Sequence, residues 1–190
     1  MTVQPIRTIY QLKITLEQSK PPIWRRVLVP SNFHLGKLHQ VIQIAMGWTD
    51  THLHLFNAHQ VIYVPPEDDD EFGMGIACRD ETKYKLSQVL TKEKEKLLYE
   101  YDFGDGWRHI VVLEKILPFD LKTVLPYCLT GRRACPPENC GGIWGYADLL
   151  EIITDAAHPD HEEMMEWVSG EFDPAYFDVT EVNELFEEFF

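Results

Sequence analysis

The densest run of side chains capable of chemistry is YDFGDGWRH, Tyr101 to His109. Asp102, Asp105 and His109 lie close together there, among Tyr101, Phe103 and Trp107. Carboxylates and an imidazole at a strand turn could act as general acid and base, or as hard metal ligands. Turn geometry and packing explain the same residues in another way. Gly104 and Gly106 permit positive φ, aspartates bond turn amides, and Trp107 packs on a core. If the run binds a ligand, Trp107 and Arg108 are its aromatic and cationic contacts.

The second concentration is CPPENCGGIWGY, Cys135 to Tyr146. Pro136-Pro137 fixes the approach of the chain, and Gly141-Gly142 lets it turn sharply or come close to a ligand. Glu138 would sit on that shaped loop as a further catalytic candidate, and Tyr146 as a binding residue. Cys128, Cys135 and Cys140 offer three thiolates, with His109 as a fourth ligand, and zinc accepts a Cys₃His set. The spacings differ from the two-residue gap of common zinc modules, so buried thiols steadying an irregular loop are the alternative. The two segments are predicted to face each other.

Other signals fail on inspection. Asp102-Phe103-Gly104 has the letters of a kinase metal-binding tripeptide, but the glycine-rich loop, catalytic loop and strand lysine are missing. His161-Glu162 begins the metalloprotease pattern, but residue 165 is Met. His158-Pro159-Asp160-His161 reads as a helix start capped by Asp160. No P-loop or nucleophile elbow is present, and Ser19, Ser31, Ser87 and Ser169 sit in no nucleophile context.

These residues need a scaffold. Ile9–Leu16 and Ile23–Val29 read as strands joined at Lys20-Pro21-Pro22. Leu35, Leu38, Val41, Ile42, Ala45 and Met46 recur at helical spacing, with Gly47 as the stop. His52 to Val64 reads as two short strands, with His52 and His54 sharing a face. Pro65 to Lys83 reads as a loop, and Leu86 to Leu90 as a helical turn. Leu97–Phe103 and Trp107–Leu113 read as strands around Gly104-Asp105-Gly106. This element order resembles a β-grasp arrangement. Beyond Pro118, Leu121–Gly142 reads as irregular. Three helices follow, on Tyr146–Ile153, Met164–Val168 and Val179–Phe189, the last with the cap signal Asp178…Glu181. The expected class is α+β, a mixed and mainly antiparallel sheet packed with helices. It forms one domain over 1–190, sheet-rich over 1–117, with a loop and acidic helices over 118–190.

Net charge is −14 over 190 residues, unevenly spread. From Ala134 onward there are 15 acidic residues and no Lys or Arg; the first 133 residues carry 17 basic and 16 acidic. Solvated acidic helix faces explain this, and so does a docking surface for a basic protein on residues 134–190. An acidic chain argues against unaided nucleic-acid binding. No apolar run approaches the roughly 20 residues of a membrane span. No export signal is legible, so the expected compartment is the cytoplasm, with cysteines as thiols or metal ligands.

The ordered motifs resemble one family. YDFGDGWRHIVVLE, the Pro126…Cys128…Gly131 stretch, ACPPENCGGIWGY, HPDHEEMMEWV and FDPAYFD…VNELF, with YQLKITL…PPIWRRVLVP…LHQVIQIAMGW before them, are similar to plasmid pRiA4b ORF-3-like proteins. The likeness runs from about Tyr10 to Leu185. It implies an α+β fold and a link to plasmids and mobile elements. Some members carry resolvase labels, but no nucleophilic serine among arginines is legible here. The family pattern PPEDCGG reads PPENCGG in this chain, with Asn139 in place of Asp. Two functional readings follow. One is a soluble, non-enzymatic binding or interaction module. The other is a metal-dependent hydrolase, acting on nucleic acid or nucleotides, that uses Asp102, Asp105, His109 and Glu138.

Overall fold

Strand β1 (Thr8–Leu16) alternates Gln11, Lys13 and Thr15 on one face with buried Leu12, Ile14 and Leu16 on the other. That period-two pattern gives the whole sheet one wet and one dry face. The computed structural model describes residues 8–66, 78–120 and 122–190. Strand β2 (Trp24–Pro30) returns antiparallel to β1. Helix α1 (Leu35–Met46) follows, and its N-cap His34 accepts the Lys37 N–H through Nδ1. Gly47 stops the helix at φ 89°, in the left-handed region glycine tolerates.

The sheet continues with β3 (His54–Ala58), β4 (Val61–Val64) and β5 (Arg79–Asp80). A 3₁₀ turn (Glu81–Lys83) and the short helix α2 (Leu86–Val89) lead into β6 (Lys96–Tyr101) and β7 (Trp107–Pro118). Strand β8 (Tyr127–Arg132) precedes α3 (Gly142–Thr154), α4 (His161–Trp167) and α5 (Val179–Phe189). The eight strands form one sheet in the order β5-β4-β3-β6-β7-β1-β2-β8. Every pairing is antiparallel except β4 with β5 at one edge. The fold is therefore α+β with a mixed, mainly antiparallel sheet, and it opens with the hairpin, helix and short strands expected.

The core lies on the dry face. Tyr10, Leu12, Ile14, Val27, Phe56, Tyr99, Val111 and Leu113 meet Leu38, Val41, Ile42 and Ala45 of α1 there, with Val182 and Phe186 of α5. Among the helices, α1 contacts α5, α3 contacts α4, and α5 lies on β8. No helix among the described residues is long and apolar enough to cross a membrane.

Four local expectations change. The stretch read as irregular contains β8. Its sequence, YCLTGR, hides a strand because a register shift opposite Arg26/Val27 breaks the alternation. The loop read over Pro65–Lys83 ends in β5 and the 3₁₀ turn, while residues 67–77 lie outside the described residues. Asp160 precedes α4 without a side-chain cap bond; its N–H donates instead to His158 Nδ1. Asp178 does cap α5, accepting from Thr180 N, but Glu181 turns away to accept from Tyr176 Oη.

Candidate functional site

The two motif segments do meet, and the contacts are structural. Asp102 stands at φ 54°, and its Oδ1 accepts from Gly104 N and Asp105 N. Asp105 Oδ2 accepts from Gly141 N at 3.2 Å. Gly142, at φ 69°, lies so close to the Asp105 carbonyl that no side chain fits. Glu138 reaches further in. It accepts from Tyr101 Oη and Thr49 Oγ1, each at 2.6 Å, and from Thr51 Oγ1 at 3.5 Å. Trp48 Nε1 donates to Pro136 O beside it. The PPENCGG loop is thus strapped to the α1–β3 connection and to the β6–β7 hairpin. Burial alone would raise the Glu138 carboxyl, but the Thr49 and Tyr101 donors hold it below the usual range. Burial, then the Glu138 carboxylate, push the Tyr101 phenol up to about 12. Asn139 is exposed at φ 60°, a conformation asparagine tolerates, so its departure from the family pattern touches none of these bonds.

The remaining sequence candidates separate. His109 is fully buried and packed edge-on to Trp48, and neither ring nitrogen makes a well-formed hydrogen bond among the described residues, although the Tyr99 and Trp107 backbones lie near enough to favour its charged form. Burial pushes its pKa down to about 3, so it stays neutral. Trp107 is core, its indole nitrogen unpaired. Arg108 lies on the wet face and pairs with Glu100 at 3.2 Å. Tyr146 is buried in α3, and burial pushes its phenol up to about 12. Cys128 is buried. Its N–H donates to Asn183 Oδ1, and burial pushes its thiol up to about 11. Cys135 and Cys140 pack against the core, and burial raises both thiols. Among the described residues the three cysteines and His109 form no group of three ligand atoms within metal reach. From Ala134 onward, every acidic residue except Glu138 and Asp178 is exposed.

A different set does converge. His39, Asp50 and His54 place one ligand atom each within 4.8 Å of one another. His39 comes from the buried side of α1. Asp50 sits beyond the Gly47 stop at φ 56°, turned back so that its Oδ1 meets His39 Nε2 at 2.8 Å. His54 opens β3, and its ring stacks on His39 with centroids 3.6 Å apart and planes 6° from parallel. Its Nε2 meets Glu81 Oε2 at 2.9 Å. Gly36 makes room for that carboxylate, since a methyl there would stand 2.8 Å from Glu81 Oε1.

The network around this set fixes its tautomer. Tyr99 Oη accepts from Gln43 Nε2 at 2.9 Å and lies 2.8 Å from His39 Nδ1. A carboxylate has no proton to give, so His39 Nε2–H donates to Asp50 and Nδ1 accepts from Tyr99. Burial lowers the His39 pKa although Asp50 opposes the shift, and the bond from His39 lowers that of Asp50. Both imidazoles are about 95% buried, whereas Asp50 is exposed. The set borders a cleft of about 360 Å³, also lined by His34, His52, Gln40 and Thr82. His52, before β3 rather than in it, lines the same cleft as His54, 3.6 Å from Asp102 Oδ2. The run Asp50-Thr51-His52-Leu53-His54 is the one sequence signal that could have marked this cleft; His39 and Glu81 carry none.

The chain is 36% identical over 184 residues to the uncharacterized protein y4hQ of Sinorhizobium fredii (strain NBRC 101917 / NGR234), covering 96% of this chain and 93% of that one. It is similar to the crystal structure of MM3350 from Methanosarcina mazei Go1, a protein of unknown function. That match has a TM-score of 0.84 at 38% identity, over 93% of this chain and 97% of the other. A model of the plasmid pRiA4b ORF-3-like proteins matches residues 8–181. The chain belongs to the plasmid pRiA4b ORF-3-like family.

Proposed function

We propose that the protein is a metal-binding protein whose ion is held by His39, Asp50 and His54, and that zinc or a similar transition metal is the natural occupant. The supporting observation is that two imidazoles and a carboxylate bring ligand atoms within 4.8 Å of one another on the border of a cleft, where the His54 ring, now stacked on His39, would turn to share the ion. Imidazole with carboxylate suits zinc and its neighbours rather than calcium or magnesium, which take oxygen ligands. Tyr99 is placed as the outer partner. With a metal on Nε2, His39 would switch tautomer, and the proton then on Nδ1 would be donated to Tyr99 Oη, the usual support for a ligating histidine. Glu81 supports His54 in the same way.

Three protein ligands leave one position for water or substrate, the arrangement of a catalytic rather than a closed structural zinc site. An ion held by His39, Asp50 and His54 would supply Lewis-acid chemistry of the kind used in hydrolysis. The hydrolase reading thereby moves from Asp102, Asp105 and His109, which serve the turn and the core, to the histidine cleft.

The test is metal content after purification without chelator, followed by zinc titration of chelator-stripped protein. One ion per chain is expected, lost in His54→Ala and in Asp50→Ala but kept in Cys135→Ser. Equal metal content in wild type and His54→Ala would rule the site out.

A further inference from the structure

Charge is unevenly spread in this molecule, and Lys13, Arg26, Lys96, Arg108, Lys115 and Arg132 lie on the wet face of the sheet. Residues opposite each other in register share a face. Arg26, Lys13, Val112 and Lys96 form one row across β2, β1, β7 and β6. Arg132 stands opposite Trp24, and Lys115 opposite Gln11, on that same face. Glu114 answers Arg26, and Glu100 answers Arg108. Lys13, Lys96, Lys115 and Arg132 make no ion pair among the described residues. An acidic total therefore conceals a cationic face.

At the β8 edge this face deepens into a cleft of about 790 Å³, bordered by Pro21, Pro22, Trp24, Arg132, Arg133 and Phe177. Among the described residues, none that lines it is acidic. Arg132 is exposed at its mouth. Arg133 stands at φ 69°, a turn that brings consecutive arginines to the same border. The aromatic side is held firmly. Phe177 lies against Gly131, where a methyl would stand 2.7 Å from its ring, and the Arg25 guanidinium sits 4.1 Å from its centroid. Trp24 carries Lys13 and Arg26 at 5.2 Å from its ring. An open sheet with an aromatic platform, arginines at its edge and no carboxylate lining the cleft suits a ligand that joins a flat ring to a phosphate.

We propose that this cleft binds a nucleotide unit, with its phosphate on Arg132 and its base against Trp24. The unit comes either from a free mononucleotide or from a single-stranded nucleic acid running over Lys13 and Arg26. The overall charge argues against nucleic-acid binding only if it is spread evenly, and here it is not. The site is separate from the histidine cleft and stands whether or not that cleft holds metal.

The test is fluorescence anisotropy of a labelled 15-nucleotide oligothymidylate with the full chain at low salt, with unlabelled thymidine monophosphate as competitor. The strand is expected to bind, about tenfold or more weaker in Arg132→Glu and in Trp24→Ala. Lys83→Glu makes the same charge change beside the opposite edge strand and should leave affinity unchanged. Competition by millimolar thymidine monophosphate assigns the site to free nucleotide; failure to compete, with the strand still bound, assigns it to the strand. The proposal is overturned if neither ligand binds, if Arg132→Glu binds as well as wild type, or if Lys83→Glu weakens binding equally.

Discussion

Replacing His109 with leucine should make the protein less sensitive to acid while costing little at neutral pH. The ring is fully buried, and neither nitrogen makes a well-formed hydrogen bond among the described residues. In the unfolded chain it titrates near 6.5, but in the folded protein near 3, chiefly because burial excludes the charged form. The unfolded state therefore binds a proton that the folded state refuses. The resulting stability is complete above about pH 6.5 and is lost progressively as pH falls toward 3. At about 1.4 kcal/mol per unit, a gap of about 3.5 units sets a ceiling near 5 kcal/mol. Urea unfolding at pH 7, 6, 5 and 4 measures it. Wild type should lose up to about 1.4 kcal/mol per pH unit more than His109→Leu across that window. At pH 7 the variant should fall within about 1.5 kcal/mol of wild type, because a leucine of similar size replaces two unsatisfied nitrogens. Parallel pH profiles would refute the reasoning, and so would a loss above about 3 kcal/mol at pH 7, which would mean the ring nitrogens are bonded.

Other perturbations test the scaffold. Glu138→Ala should cost about 1–3 kcal/mol by orphaning Tyr101 and Thr49, and hydrogen exchange should show faster opening of residues 135–142. Gly142→Ala should cost more than about 2 kcal/mol in thermal unfolding, since the position combines φ 69° with contact against the Asp105 carbonyl. Arg25 donates to the carbonyls of Ala45, Trp24 and Arg132 from a buried position. Arg25→Met should cost about 2–4 kcal/mol in chemical unfolding by leaving those groups unsatisfied, and Arg25→Lys should recover little, because lysine lacks the planar fork.

The sequence carried much of the fold and a smaller share of the site. Strands β1, β2, β6 and β7 were legible because one buried face enforces strict alternation, as in Leu12, Ile14 and Leu16. Strand β8 was not, because its bulge breaks the period and its Gly131 looks like a loop residue until Phe177 is seen lying on it. The meeting of the Asp102–His109 hairpin with the PPENCGG loop was legible because turn-forming and polar residues crowd into both. Their chemistry was not legible, since residues that shape a turn are the same types that catalyse. Asp102 and Asp105 each give one oxygen to backbone amides, and His109 faces the core. The histidine cleft was hidden for the opposite reason. His39 falls within an apolar helix pattern, where it reads as a core residue. Glu81 lies 27 positions from the His54 it supports. Only the fold brings α1, the Asp50 turn, β3 and the 3₁₀ turn to one place.

A crystal of zinc-loaded protein would locate the metal directly, through anomalous scattering on both sides of the zinc edge. The account predicts one peak about 2.0–2.2 Å from His39 Nε2, a ring nitrogen of His54 and a carboxylate oxygen of Asp50, with Tyr99 Oη still bonded to His39 Nδ1. A peak among Cys128, Cys135 and Cys140, or none at the histidine pair in fully zinc-loaded protein, would contradict it.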